Sequence, residues 1–181
     1  MASPMEPGTE ALPAFAPAPN LLIVAAAFYR KVADGQIAGA RAVLEAVSAT
    51  HELIEVPGAL EVPVAIRLAA ESGAWEGYVA LGCVIRGETT HYETVCGDSS
   101  RGLMLLGVER GLAVGNGILT CESMAQAEVR ADPDAMDKGG GAAAAALHLI
   151  ALARRFRGMP GDADIRIAAT ASQSGNQTGT A

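Results

Sequence analysis

The run at residues 78–85, Tyr-Val-Ala-Leu-Gly-Cys-Val-Ile, constrains the fold more than any other stretch. A strand with one wet face alternates polar and apolar residues, whereas a strand covered on both faces reads as a continuous hydrophobic run. Residues 78–85 therefore predict a strand inside a parallel sheet. The text then changes at once to Arg86, Gly87, Glu88, Thr89, Thr90 and His91. In open α/β sheets, ligands bind just beyond the carboxyl ends of the strands. A cation, a flexible glycine, a carboxylate, two hydroxyls and an imidazole thus fall where a site is expected.

Strand and helix patterns alternate around this run. Residues 21–28 read as a first buried strand, with Phe28, Tyr29 and Arg30 at its carboxyl end. A helix is predicted over 31–48, where Ile37, Ala40, Leu44 and Val47 form one stripe. Residues 51–56 make a second strand. Pro57, Gly58 and Ala59 turn the chain into a helix near Leu60, with Pro63 in a first turn where its missing donor costs nothing. Residues 77–85 form the third strand. Asp98, Ser99 and Ser100 offer N-cap chemistry for a helix reaching about Leu112. Residues 114–121 predict a fourth strand, short and broken by glycine. A brief helix over 123–129 carries Arg130 and ends at Asp132-Pro133-Asp134. Gly139, Gly140 and Gly141 precede a final helix over 142–156, apolar nearly all round and hence buried, partly against another subunit.

This alternation predicts an α/β fold: a single-domain three-layer sandwich with a four-stranded parallel, flavodoxin-like sheet and helices on both faces. A chain of 181 residues suits one domain, placed at residues 20–157. Pro4, Pro7, Pro13, Pro17 and Pro19 argue against regular structure before it, so residues 1–19 are expected to form a flexible arm. Within that arm, residues 12–15 could add to a neighbour's sheet edge. Residues 158–181 turn polar and aperiodic, as a disordered tail does.

Charge and cysteine usage narrow the function. A net charge of -7 argues against a nucleic-acid partner, which needs a clustered basic face. It does not exclude one local anion site. Cys83, Cys96 and Cys121 include no Cys-x-x-Cys pair, so neither a disulfide framework nor a zinc site is suggested. The amino terminus has no basic region ahead of its apolar run, unlike a secretory signal. The longest apolar tract, 141–153, is too short to span a bilayer and runs into Arg154 and Arg155. A cytoplasmic protein with no membrane partner is expected.

The segment after residue 85 carries the chemistry. His is the usual proton carrier near neutral pH, and Glu88, Glu93 and Asp98 are possible orienting carboxylates for His91. A lone His is commonly structural, as expected for His51 at a strand start and His148 in an alanine-rich helix. Gly87, Thr89 and Thr90 suit an anion nest, and so a phosphorylated small molecule. Walker and Gly-x-Gly-x-x-Gly spacings are absent, so nicotinamide cofactors are not supported. Phe28 or Tyr29 either stacks on a planar ligand or closes the core. Glu61 either favours the positive helix end or accepts a hydrogen bond from a ligand. A Cys96–His91 nucleophile pair rests on sequence proximity alone, and Cys is equally a small buried hydrophobe. No metal-ligand spacing is present. Neither metal nor cofactor is expected.

Two stretches, Val56-Pro57-Gly58-Ala59-Leu60-Glu61 and Leu81-Gly82-Cys83-Val84-Ile85-Arg86-Gly87-Glu88-Thr89-Thr90-His91-Tyr92, resemble the signatures of the 6,7-dimethyl-8-ribityllumazine synthase family. Gly117-Ile118-Leu119-Thr120-Cys121-Glu122 and Asp137-Lys138-Gly139 are also similar to it, in the expected order. The likeness covers about residues 20–157, and Val-Ile-Arg-Gly-x-Thr-x-His is its specific part. It implies the penultimate step of riboflavin synthesis. There, 5-amino-6-(D-ribitylamino)uracil condenses with 3,4-dihydroxy-2-butanone 4-phosphate through an imine, with loss of phosphate, ring closure and loss of water. No metal or organic cofactor takes part.

Residue by residue, the resemblance implies that Phe28 stacks on the pyrimidine and that Ala59, Leu60 and Glu61 contact the aminouracil. Cys83, Val84 and Ile85 would line the ring, mostly through backbone groups. Glu88 and Thr89 would give N–H groups to the phosphate, and His91 would move protons. Asn116, Arg130 and Lys138 would come from the adjacent subunit, Arg130 pairing with phosphate as a planar fork suits. The implied assembly is a homo-oligomer with sites at subunit interfaces. Because the 130–138 turn lacks Gly-rich text and holds Pro133, a pentamer is favoured over a 60-subunit shell. Asn116 departs from the aromatic residue common at its position. Two rivals stay open: a related riboflavin synthase that dismutates two lumazines, and a lumazine- or flavin-binding protein without turnover, since fold does not fix function. His91 and Arg130 together favour turnover.

Overall fold

The four strands expected from the sequence become four parallel strands: β1 (Asn20–Ala26), β2 (Thr50–Val56), β3 (Gly77–Ile85) and β4 (Ala113–Cys121). The structure, a computed structural model, describes residues 11–158. The expected flexible arm over residues 1–10 and the expected disordered tail over residues 159–181 lie outside the described residues. The strands lie in the order β2-β1-β3-β4, with Val24 beside both Ile54 and Ala80, and Gly82 beside Ile118. Five helices connect and cover them: α1 (Arg30–Ala46), α2 (Glu61–Ala70), α3 (His91–Arg110), α4 (Met124–Ala131) and α5 (Lys138–Phe156).

The unbroken apolar text of β1 and β3 follows from their position. Side chains alternate across a strand, and both faces of these strands are covered. Leu21, Ile23, Ala25, Val79 and Leu81 pack against Ile37, Ala40 and Leu44 of α1 and against Leu147 and Ile150 of α5. Leu22, Val24, Tyr78 and Ala80 face the other way, onto Val62 and Ile66 of α2 and Leu103 and Leu106 of α3. Three layers result, as the sequence predicts. The edge strand β2 has no fully buried residue.

Three elements differ from the sequence reading. First, α3 begins at His91 rather than near Asp98. Ser99 is buried inside the helix, its hydroxyl donating to the Val95 carbonyl at 2.6 Å, a bond back to residue i−4 that removes the need for a cap role. Second, α5 takes in all three glycines and begins at Lys138. Asp137, at φ 39°, caps it by accepting the Gly140 N–H at 2.9 Å. Third, β4 is nine residues long and unbroken. A Cβ on Gly115 would lie 1.9 Å from the Ala142 carbonyl oxygen, so this glycine lets α5 approach the strand rather than interrupting it. Gly115→Ala is expected to push α5 outward at a cost of about 1–3 kcal/mol, measured as a lower urea midpoint.

Residues 11–19 run across the opposite end of the sheet. Leu12 and Phe15 pack on the chain's own α1/α5 core. The Pro17 carbonyl accepts from Arg154 Nη1 at 2.8 Å, and the same guanidinium pairs with Glu76 at 2.8 and 3.0 Å.

Candidate active site

Strands β1, β2 and β3 end at Ala26, Val56 and Ile85 on one edge of the sheet. The strand order reverses between β1 and β3, and a crevice opens at such a switch point. A cavity of about 490 Å³ occupies it. Nine residues singled out in the sequence line it together: Phe28, Ala59, Leu60, Glu61, Cys83, Val84, Ile85, Thr89 and His91. They come from three separate strand ends, 63 positions apart at the extremes (28 to 91).

Each lining group owes its place to a local element. Phe28 and Tyr29 fill the short link between β1 and α1, edge to face with centroids 4.9 Å apart and planes at 79°. Phe28 is 74% exposed. That removes the core reading and leaves a ring free to meet a planar ligand. Ala59 is buried under the cavity, while Glu61 opens α2 with its side chain exposed and its N–H donating to the Gly58 carbonyl at 3.2 Å. Cys83, Val84 and Ile85 are the last turn of pleat in β3, more exposed toward the site.

His91 is the first residue of the 20-residue helix α3, not part of an irregular loop. Its side chain is exposed, and its backbone N–H reaches the Thr89 hydroxyl at 3.4 Å. Thr90 holds the N-cap position without a side-chain cap bond. Residues 87–90 thus lead into the positive end of a long helix, where N–H groups and the dipole favour an anion. Glu88 lies in this exposed turn and does not line the cavity.

Neither thiol is a poised nucleophile: Cys83 is part of the cavity wall, and Cys96 does not line the cavity. Burial, with the neighbouring Cys121 second, pushes the Cys83 thiol up to about 12. Cys96 stands five residues after His91 in one helix, and residues five apart do not share a face. Its neighbour is Tyr92, and burial holds its thiol above the ordinary range. A thiol kept protonated is a poor nucleophile. Among the described residues, no group of three or more His, Cys, Asp or Glu side chains is gathered as a metal site.

Asn116, Arg130 and Lys138 do not join this cavity. They line another, of about 410 Å³, along the open edge of β4 beside α4 and α5, with Thr120 and Ala145. Arg130 is anchored there by donating from Nη1 to the Gln126 carbonyl at 3.2 Å. One chain therefore carries two separate sets of candidate groups. Sequence reasoning missed Tyr92 and Val95 in the first cavity. Once α3 is known to start at His91, its first turns supply both, at i+1 and i+4.

A parallel α/β sheet with a substrate-sized cavity at its carboxyl edge, lined by an aromatic ring, a carboxylate and an imidazole, defines a small-molecule enzyme of the doubly wound class. The family described as 6,7-dimethyl-8-ribityllumazine synthase matches residues 18–154, and the chain belongs to that family. Relatives bearing that name include one from Jannaschia sp. (strain CCS1), 51% identical over 145 residues, covering 80% of this chain and 81% of the relative. One from Methylocella silvestris is 55% identical over 141 residues, covering 75% and 86%. One from Novosphingobium aromaticivorans is 56% identical over 137 residues, covering 76% and 98%. Among the described residues, no helix is long and apolar enough to cross a membrane.

Proposed function

We infer that this chain condenses 5-amino-6-(D-ribitylamino)uracil with 3,4-dihydroxy-2-butanone 4-phosphate to give 6,7-dimethyl-8-ribityllumazine, phosphate and water, in riboflavin biosynthesis. Family membership over residues 18–154 carries the reading, and the gathering of His91 with eight expected substrate contacts in one cavity supports it. In this scheme Phe28 stacks on the pyrimidine, and Ala59, Leu60 and Glu61 meet the aminouracil. The Cys83–Ile85 backbone bounds the ring. Amides of Glu88 and Thr89, at the start of α3, take the phosphate. His91 exchanges protons as the imine forms and the ring closes. Holding two substrates together is itself a large part of such catalysis.

Asn116, Arg130 and Lys138 act in this scheme from an adjoining protomer. Their separation from His91 within one chain, in a cavity of their own, supports a site shared between subunits. The assembly is then a homo-oligomer, a pentamer in preference to a 60-subunit shell, working in the cytoplasm on two small molecules. The direct test mixes the purified protein with both substrates and follows lumazine absorbance, with light scattering on the same sample. Product from both substrates together, and from neither alone, is the expected result. Its absence defeats the reading.

A further inference from the structure

We propose that Arg86 is a positioning residue that fixes the start of α3 relative to the start of α4, and so serves two active sites at once. The proposal rests on the functional reading above, in which His91 acts in its own protomer's site and Arg130 in the next one.

Arg86 directly follows β3, and its backbone N–H still pairs with the Cys121 carbonyl of β4 at 2.9 Å. Its side chain then makes three contacts with different elements. Nη1 donates to the Glu93 carboxylate, in the first turn of α3. Nε donates to Glu122 Oε2 at 2.8 Å, just beyond β4. The guanidinium carbon sits over the Tyr92 ring, 4.1 Å from its centroid, a cation–π contact. Tyr92 and Glu93 are the two residues after His91. Arg86 therefore grips the turn that His91 begins.

The other arm leads to Arg130. The N–H of Glu122 donates to Gln126 Oε1 at 3.0 Å. The Gln126 carbonyl in turn accepts from Arg130 Nη1 at 3.2 Å. One guanidinium thus links the imidazole-bearing turn to the helix that carries the phosphate-pairing Arg. The paired side chains are 40%, 55% and 59% exposed, and ion pairs this open contribute little to stability. What the network supplies is geometry, and charge balance as well. One cation faces two carboxylates, and Arg86 is the main reason the Glu93 carboxyl is held below its ordinary range. Without Arg86, two uncompensated anions would stand beside the turn expected to receive phosphate.

Geometry and charge can be separated by kinetics on Arg86→Ala, Arg86→Lys and the triple variant Arg86→Ala/Glu93→Gln/Glu122→Gln. Arg86→Ala should lower kcat on the order of 10-fold through misplacement of reacting groups. It should also raise KM for the butanone phosphate, and Ki for inorganic phosphate, more than KM for the aminouracil. The triple variant should regain the phosphate affinities while kcat stays low. Arg86→Lys keeps a charge without the fork, so its kcat should stay low too. Melting temperature and oligomer size should hold in all three. Full kcat in the triple or Lys variant overturns the proposal, as does a fall in activity that only tracks lost folding or assembly. A wild-type protein that makes no lumazine defeats the functional reading instead. Histidine-selective NMR then decides this one: Glu122→Gln, beyond the end of the neighbouring strand β4, should move the His91 signal, and an unmoved signal overturns the linkage.

Discussion

His91→Ala is expected to lower kcat by roughly 10²–10⁴-fold, the range that a positioned proton carrier contributes, while both substrates bind nearly as before. The expectation follows from where the imidazole stands. His91 is exposed on the cavity side of the α3 start, and no hydrogen bond of its ring to another described residue fixes it in a structural role. Its removal leaves the cavity walls in place, because Phe28, Leu60 and Ile85 come from other elements. Binding is measured by calorimetry with the aminouracil alone and with inorganic phosphate, turnover by lumazine absorbance. A variant that turns over at the wild-type rate removes His91 from the chemistry. One that loses binding as much as turnover makes it a contact rather than a proton carrier.

What could be read in the sequence, and what could not, divides along physical lines. β3 was legible to the residue, Gly77–Ile85, because a strand buried on both faces leaves an uninterrupted apolar signature with sharp ends. The layer order was legible through alternation of strand and helix. The start of α3 was not, because Ser99 reads as a cap while the folded chain satisfies its hydroxyl within the helix. The start of α5 was obscured by glycines whose use is close contact: a Cβ on Gly139 would lie 2.1 Å from the Gln36 carbonyl oxygen of α1. Local propensity cannot register a neighbour 103 residues away (139 − 36). The candidate site divides likewise. Motif resemblance named the nine cavity residues, but the Arg86–Glu122 pair depends on β3 and β4 lying side by side, which no local pattern states.

Mixing His91→Ala protomers with Arg130→Ala protomers is expected to give, at low substrate, more turnover than either variant has alone. Arg130→Ala on its own should raise KM for the butanone phosphate by about 10–100-fold, the equivalent of about 1.5–3 kcal/mol for a hydrogen bond to a charged group, with little change for the aminouracil. The two losses lie in different cavities of one chain. If the first cavity of one protomer closes against the second cavity of the next, the contact joins unlike surfaces, and repetition of such a contact closes a ring when the rotation permits. In that ring, a site built from an Arg130→Ala protomer's His91 and a His91→Ala protomer's Arg130 is intact. Random assortment of equal amounts makes about a quarter of the sites whole in a ring of such contacts. The measurement is lumazine formation, at low substrate, after co-unfolding and refolding the two variants, against each variant refolded alone. Recovery approaching a quarter of wild-type activity supports the shared site. Activity no higher than the average of the two parents places His91 and Arg130 in the service of one protomer, which their placement in separate cavities of one chain makes hard to arrange without a large movement of α4.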